Sequence, residues 1–260
     1  LELIILQTIS PWQSADWLNM VLGTHRMNER ELREKLGHIL RQSIHEMPDE
    51  KGFGGTGGPG KLLERLLGIN GSNHDTPDAG KWEIKSHGGK SLLTFLHLEA
   101  QPKKHLEEMV QRFGYPISEG RLALRHTLTA GKISNLGFYI ENKGERINIK
   151  NLYANSDEAL CFWTHDQIIN AFTAKMRRLV IVKTRRHGSY VDFQQARMYW
   201  EPRSSGLIKL IMDGVIKIDF DARMQRPDSP VLRNHGTKFR ARIDDLENIY
   251  TQRRIFTEDI

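Results

Sequence analysis

Five segments rich in β-branched and aromatic residues, LGFYIE, RINIKNLY, LVIVKT, ARMYW and VIKIDFDAR, crowd the stretch from 136 to 223. Such residues suit a pleated, half-buried surface, so each segment is expected to be a strand. Helical stripes interrupt the pattern. Leu32, Leu36, Ile39, Leu40 and Ile44 repeat at helical spacing across 29 to 44, and Ile168, Ile169, Phe172, Met176 and Leu179 do so across 166 to 179. Helices are also expected over 61 to 68, with Gly68 as the C-cap, and over 103 to 113, while KWEIKS and SLLTFLHL are expected to be short strands. Strands mixed with helices in this way predict an α/β or α+β fold with a mixed sheet.

Composition narrows the class. The 260 residues carry 38 Lys and Arg against 32 Asp and Glu, a net charge of +6, which fits a polyanionic partner without demonstrating one. The single cysteine, Cys161, excludes an internal disulfide framework and a multi-thiolate zinc site, and it makes a reducing cytoplasm the natural compartment. The opening LELIILQTIS is too short in apolar character for a spanning helix and lacks a basic leader, so no membrane segment is expected. The chain begins at Leu1, and residues 1–48 are read as an N-terminal helical cap, or a linker from a further domain, ahead of the main domain at 49–260.

The run GFGGTGGPG at 52–60 breaks regular structure and reads as a loop or hinge. With Lys61 it satisfies the spacing of a phosphate-binding loop. Leu62 stands where that motif needs a Ser or Thr for Mg²⁺, and the preceding HEMPDEKGFG is no buried strand, so an NTPase is rejected.

The chemistry is concentrated in Pro77-Asp78-Ala79-Gly80-Lys81-Trp82-Glu83-Ile84-Lys85. Side chains alternate along a strand, so Glu83 and Lys85 share a face, with Asp78 at the loop edge. Two carboxylates are suited to a hard divalent cation, and a nearby ammonium is suited to orienting water and offsetting charge on a phosphate. The pattern therefore predicts metal-assisted phosphodiester hydrolysis.

This string resembles the signature of the PD-(D/E)xK nucleases, and its surroundings resemble one branch, the MvaI/BcnI restriction endonucleases, which are similar to the mismatch-repair nickase MutH. GKLLERLLG, PDAGKWEIKSH, KSLLTFL and HGTKFRARIDDLENIY carry the likeness in order. The resemblance implies an α/β endonuclease core, a central mixed β-sheet flanked by helices, whose two lobes grip DNA in a cleft, with the catalytic lobe at about 49–115 and a C-terminal recognition region. It implies metal ligation by Asp78, Glu83 and the Ile84 carbonyl, with Mg²⁺ the cofactor and Mn²⁺ a substitute. Lys85 matches the catalytic lysine, Glu64 an acid on the preceding helix, and His87 a histidine suited to assisting proton transfer. His235, Arg240 and Arg223 match base-reading positions, and arginine can bond guanine O6 and N7 bidentately. The runs KMRR at 175–178 and KTRRHG at 183–188 are expected to meet phosphates.

The resemblance further implies a prokaryotic, Mg²⁺-dependent type II enzyme acting on double-stranded DNA. It would be a monomer nicking each strand in turn at a CCNGG- or CCWGG-like site, with a cognate DNA methyltransferase as functional rather than physical partner. The alternatives are a MutH-like repair nickase and a DNA-binding module that does not cut.

Overall fold

The computed structural model describes residues 27–69, 79, 81–89, 91–225 and 231–257. In chain order its elements are α1 (Glu29–Gln42), β1 (Ile44–Glu46), α2 (Gly58–Leu67), β2 (Glu83–His87), β3 (Leu93–His97), α3 (His105–Phe113), β4 (Tyr115–Pro116), β5 (Leu122–Leu128), β6 (Phe138–Lys143) and β7 (Arg146–Asn151). They continue with β8 (Cys161–Thr164), α4 (His165–Met176), β9 (Arg178–His187), β10 (Tyr190–Pro202), α5 (Leu207–Met212), β11 (Lys217–Met224), β12 (Leu232–Asn234), β13 (Lys238–Ala241), α6 (Leu246–Ile249) and β14 (Tyr250–Phe256). The fold is the expected mixed α/β arrangement.

Three sheets organise these elements. The first runs β1-β10-β9-β2, with β14 also paired to β10, and among the described residues only its β2–β9 pair is parallel. The second runs β3-β13-β11-β5-β4, with β12 on β11, and the third is the meander β6-β7-β8. Strand β9 shows why the first sheet is central. Val180 and Val182 point into one apolar cluster with Leu32, Leu36 and Leu63 of α1 and α2, whereas Leu179 and Ile181 point into a second cluster with Phe172, Phe220 and Tyr250. A sheet covered on both faces needs the near-continuous apolar run seen in LVIV, because neither face meets water.

Two expected boundaries shift. Ile44 lies in β1 and is 64% exposed, because Ser43 takes φ 51° and stops α1 at Gln42. Leu179 lies in β9, because α4 ends at Met176 and the chain turns directly into the strand. The glycine run also contributes more order than a bare loop: α2 starts inside it at Gly58, and a Cβ there would sit 2.0 Å from the Phe53 carbonyl oxygen.

Helix α1 and strand β1, from the stretch read as a cap or linker, are packed into the first sheet's layer. The stretch 49–115 supplies β2 to the first sheet but β3 to the second, while β9, β10 and β14 come from the C-terminal half.

Candidate active site

Alternation along β2 places Glu83, Lys85 and His87 on one face, while Ile84 turns its side chain into the cluster behind the sheet. The parallel ladder to β9 fixes the strand, with Glu83 opposite Leu179 and Lys85 opposite Ile181. Just upstream, Ala79 and Trp82 exchange two backbone hydrogen bonds of 2.9 Å and are both buried, and the Arg178 guanidinium lies over the Trp82 ring. The turn into the strand is therefore anchored. Asp78, next to Ala79, lies outside the described residues.

Glu83 is only 2% exposed, and the Lys85 ammonium donates to its Oε1 at 2.7 Å. Lys175, from the last turn of α4, brings a second ammonium to 3.8 Å from the same oxygen. The end of α4 is held in place by Tyr250, whose hydroxyl donates to the Met176 carbonyl at 2.7 Å. Burial, and then the Glu83 charge, push that phenol well above its ordinary pKa, so it remains a donor. Half-buried Glu64 sits on α2, which packs against β2 through the apolar cluster containing Leu62, Leu63 and Ile84.

His87 is buried. Its Nδ1 accepts the Gly89 N–H at 2.7 Å and its Nε2 stands 2.9 Å from the Ser91 carbonyl oxygen, which fixes the hydrogen on Nε2. Both ring nitrogens are engaged within the protein.

Among the described residues no three His, Cys, Asp or Glu side chains converge on a metal-sized site. The donors that are present nevertheless fit a hard cation. A buried carboxylate and the neighbouring Ile84 backbone offer oxygen ligands, and the two ammonium groups on Oε1 show that the position already attracts positive charge.

The second sheet presents a polar face built by the same alternation. Asp219, Asp221 and Arg223 follow one another along it on β11, with Thr127 and Arg125 across on β5 and Lys238 and Arg240 on β13. Arg240 donates to Asp219 Oδ2 at 3.1 Å and to the Leu92 carbonyl at 3.0 Å, and the irregular register between Phe239 and Arg240 helps aim it. Lys238 donates to Asp221 at 2.7 Å. Burial would raise the Asp221 pKa, but the bond and charge of Lys238, aided by His235 and Arg125, hold it below the ordinary value. Arg223 is half-buried opposite Arg233 of β12, and no hydrogen-bond partner for its buried Nε occurs among the described residues.

His235 is exposed in the adjoining loop, its backbone N–H donating to the Asp221 carbonyl at 2.9 Å. Glu99 Oε1 accepts from Asn234 Nδ2 and the Thr237 N–H, each at 3.2 Å. Gly236 takes φ +84°, and a Cβ there would stand 2.6 Å from the His97 ring. His97 marks where the two sites adjoin. Burial and the positive charges of Lys238, Lys175 and Lys85 keep its pKa low against the smaller pull of Glu99.

Thus β2 brings Glu83, Lys85 and His87 together, and the second sheet gathers Arg240, Arg223 and the His235 loop. Linear reading missed Lys175, His97, Glu99, Asp219 and Asp221. The alternating acids of IDFDAR were visible as one face of a strand, whereas Lys175 looked like any member of a basic run. Two arginines of those runs have internal duties. Arg178 pairs with Glu29 at 3.2 Å, and Arg186 donates to the Gly54 and Gly55 carbonyls, fastening the glycine loop to the β9–β10 hairpin.

Comparison with known proteins adds to this geometry. No curated protein matches the sequence. The restriction endonuclease MvaI in complex with cognate DNA is similar in structure, with a TM-score of 0.73, 22% identity, and coverage of 88% of this chain and 99% of that one. MvaI in the absence of DNA gives a TM-score of 0.52 at 20% identity, covering 89% and 99% respectively. These likenesses agree on the PD-(D/E)xK-type fold. The model of the MvaI/BcnI restriction endonuclease family matches residues 34–250, most of the sequence and both sites described above. The chain belongs to the MvaI/BcnI restriction endonuclease family.

Proposed function

We propose that the protein is a type II restriction endonuclease that hydrolyses phosphodiester bonds of double-stranded DNA at a short C/G-rich site of the CCNGG or CCWGG type. It works with Mg²⁺, for which Mn²⁺ can substitute, and as a monomer that nicks each strand in turn. The observation that carries this reading is the meeting of Glu83, Lys85 and Lys175 at one carboxylate oxygen, beside a charged sheet face, in a member of this family. Among the described residues no helix is long and apolar enough to cross a membrane. A cognate methyltransferase would protect the host's own sites.

Glu83, the Ile84 carbonyl and Asp78 would hold the cation, which when bound supplies Lewis-acid stabilisation of the scissile phosphate. The Lys85 ammonium orients the attacking water and offsets charge as the water oxygen bonds to phosphorus and the leaving oxygen departs. Lys175 adds a second positive charge facing the same centre. Glu64 helps order water or metal from α2. With both ring nitrogens committed, His87 serves geometry rather than proton transfer.

On the other sheet, Arg240 and Arg223 read guanine edges and His235 donates to a base acceptor. Lysines and arginines not tied internally contact phosphates, adding affinity without sequence information.

Incubation of unmethylated supercoiled plasmid with the protein and Mg²⁺, against an EDTA control, should give discrete linear products sharing one end sequence. Open circles alone would indicate a strand-specific nickase, and binding without scission would indicate a non-cleaving module; either result overturns the proposed activity.

A further inference from the structure

The catalytic strand β2 and the first strand of the second sheet, β3, are joined by the short crossover from His87 to Leu93, of which Lys90 lies outside the described residues. The crossover is tied from both sides. From the catalytic face, the His87 ring accepts from the Gly89 N–H and donates to the Ser91 carbonyl, at 2.7 and 2.9 Å. From the second sheet, Arg240 donates to the Leu92 carbonyl at 3.0 Å while its other terminal nitrogen holds Asp219 at 3.1 Å. Asp219 is itself fixed by the Thr127 hydroxyl at 2.5 Å. An imidazole and a guanidinium thus grip successive carbonyls of one loop.

We propose that His87 is a positioning residue that couples Arg240 to the catalytic strand through the Ser91 and Leu92 carbonyls, so that scission depends on how Arg240 is engaged. The proposal rests on the DNA-cleaving reading above and on base recognition by Arg240. A guanidinium that bonds a guanine edge must divide its donors among the base, Asp219 and Leu92. The wrong base leaves that division altered and displaces the Leu92 carbonyl. His87, locked on the adjacent carbonyl, carries the displacement to Lys85, two residues along the same strand face. Reaction rates are steep in such displacements, with a misplacement of about 1 Å worth roughly 10²-fold. The imidazole is suited to this task because it is neutral: burial and the Arg240 charge lower its pKa, outweighing the bond to Ser91.

The test uses duplexes carrying the site defined by plasmid cleavage, and duplexes with one G·C pair of that site replaced. Binding and single-turnover cleavage are measured separately for wild type, H87A, H87Q, R240K and the two double variants. H87A is expected to bind the cognate duplex within about twofold of wild type and to cut it at least about tenfold more slowly. Its preference for cognate over substituted duplex should fall by about tenfold. H87Q, whose amide still reaches the Ser91 carbonyl, should recover part of both losses.

In the cycle with R240K, the combined loss should fall short of the product of the single losses by about threefold or more. Multiplicative losses, or an unchanged preference in H87A, would reduce His87 to a residue that only maintains the fold and overturn the proposal. Should thermal unfolding show H87A to be unfolded, the H87Q and R240K cycle decides the matter by the same criterion. A wild type that cuts specifically while the variants lose no preference refutes the coupling alone, whereas an inert wild type refutes the functional reading and the coupling with it.

Discussion

Lys85 and Lys175 reach one carboxylate oxygen from two elements, and that redundancy makes their loss separable into chemistry and stability. Stripping a buried charge of its partner ordinarily costs about 3–5 kcal/mol. Lys85→Ala leaves Lys175 facing Glu83, so urea unfolding should show a loss of only about 1–2 kcal/mol, below that range. Plasmid cleavage by the same variant should vanish while gel-shift binding of DNA persists. Replacing both lysines should destabilise by more than the sum of the single effects, since each covers for the other. The E-x-K spacing made Glu83 and Lys85 legible in the sequence because a strand's alternation is local. Lys175 was illegible because its position depends on where α4 ends against β2. His87 was visible as a residue, but its role depends on two loop partners that periodicity does not reveal.

Among the elements, α4 presents Lys175 and has a well-made beginning. Thr164 Oγ1 accepts the Gln167 N–H at 3.2 Å while the Gln167 side chain accepts the Thr164 N–H at 2.9 Å. Thr164→Ala should therefore cost about 1 kcal/mol in urea unfolding, with Thr164→Ser retaining most of the stability. The helices and most strands were legible from apolar spacing. Ile44 and Leu179 read as helical in the sequence because each continues an apolar stripe past the point where the backbone leaves the helix. Strand partners were less accessible, since β2 pairs with β9 across nearly a hundred residues and no local pattern records that choice.

For the molecule as a whole, protonation of the histidines held below their ordinary pKa should set the acid limit of stability. Burial lowers the pKa of His87, His97, His105 and His126, in each case against smaller opposing or alongside smaller reinforcing contributions. The unfolded chain takes up these protons near the ordinary histidine value of about 6.5, and the folded chain only at lower pH. Between those values the unfolded state binds more protons, so stability is full above about pH 6.5 and declines as the pH falls through the folded-state values. Urea midpoints measured from pH 7.5 to 5 should decline accordingly, and His105→Asn should flatten the decline. The depressed Asp221 carboxyl adds a further loss at more acidic pH, by the same rule applied to an acid.

The first sheet draws β2 from the N-terminal half and β9, β10 and β14 from the C-terminal half. A break in the exposed loop around Tyr153 and Asp157 would therefore leave two fragments, each holding an incomplete share of that sheet. Neither fragment alone could present Glu83 against Lys175, and their reassociation would restore the pair. The architecture makes the chain a natural candidate for a split nuclease, silent as separate pieces and armed only when both are present in the same cell.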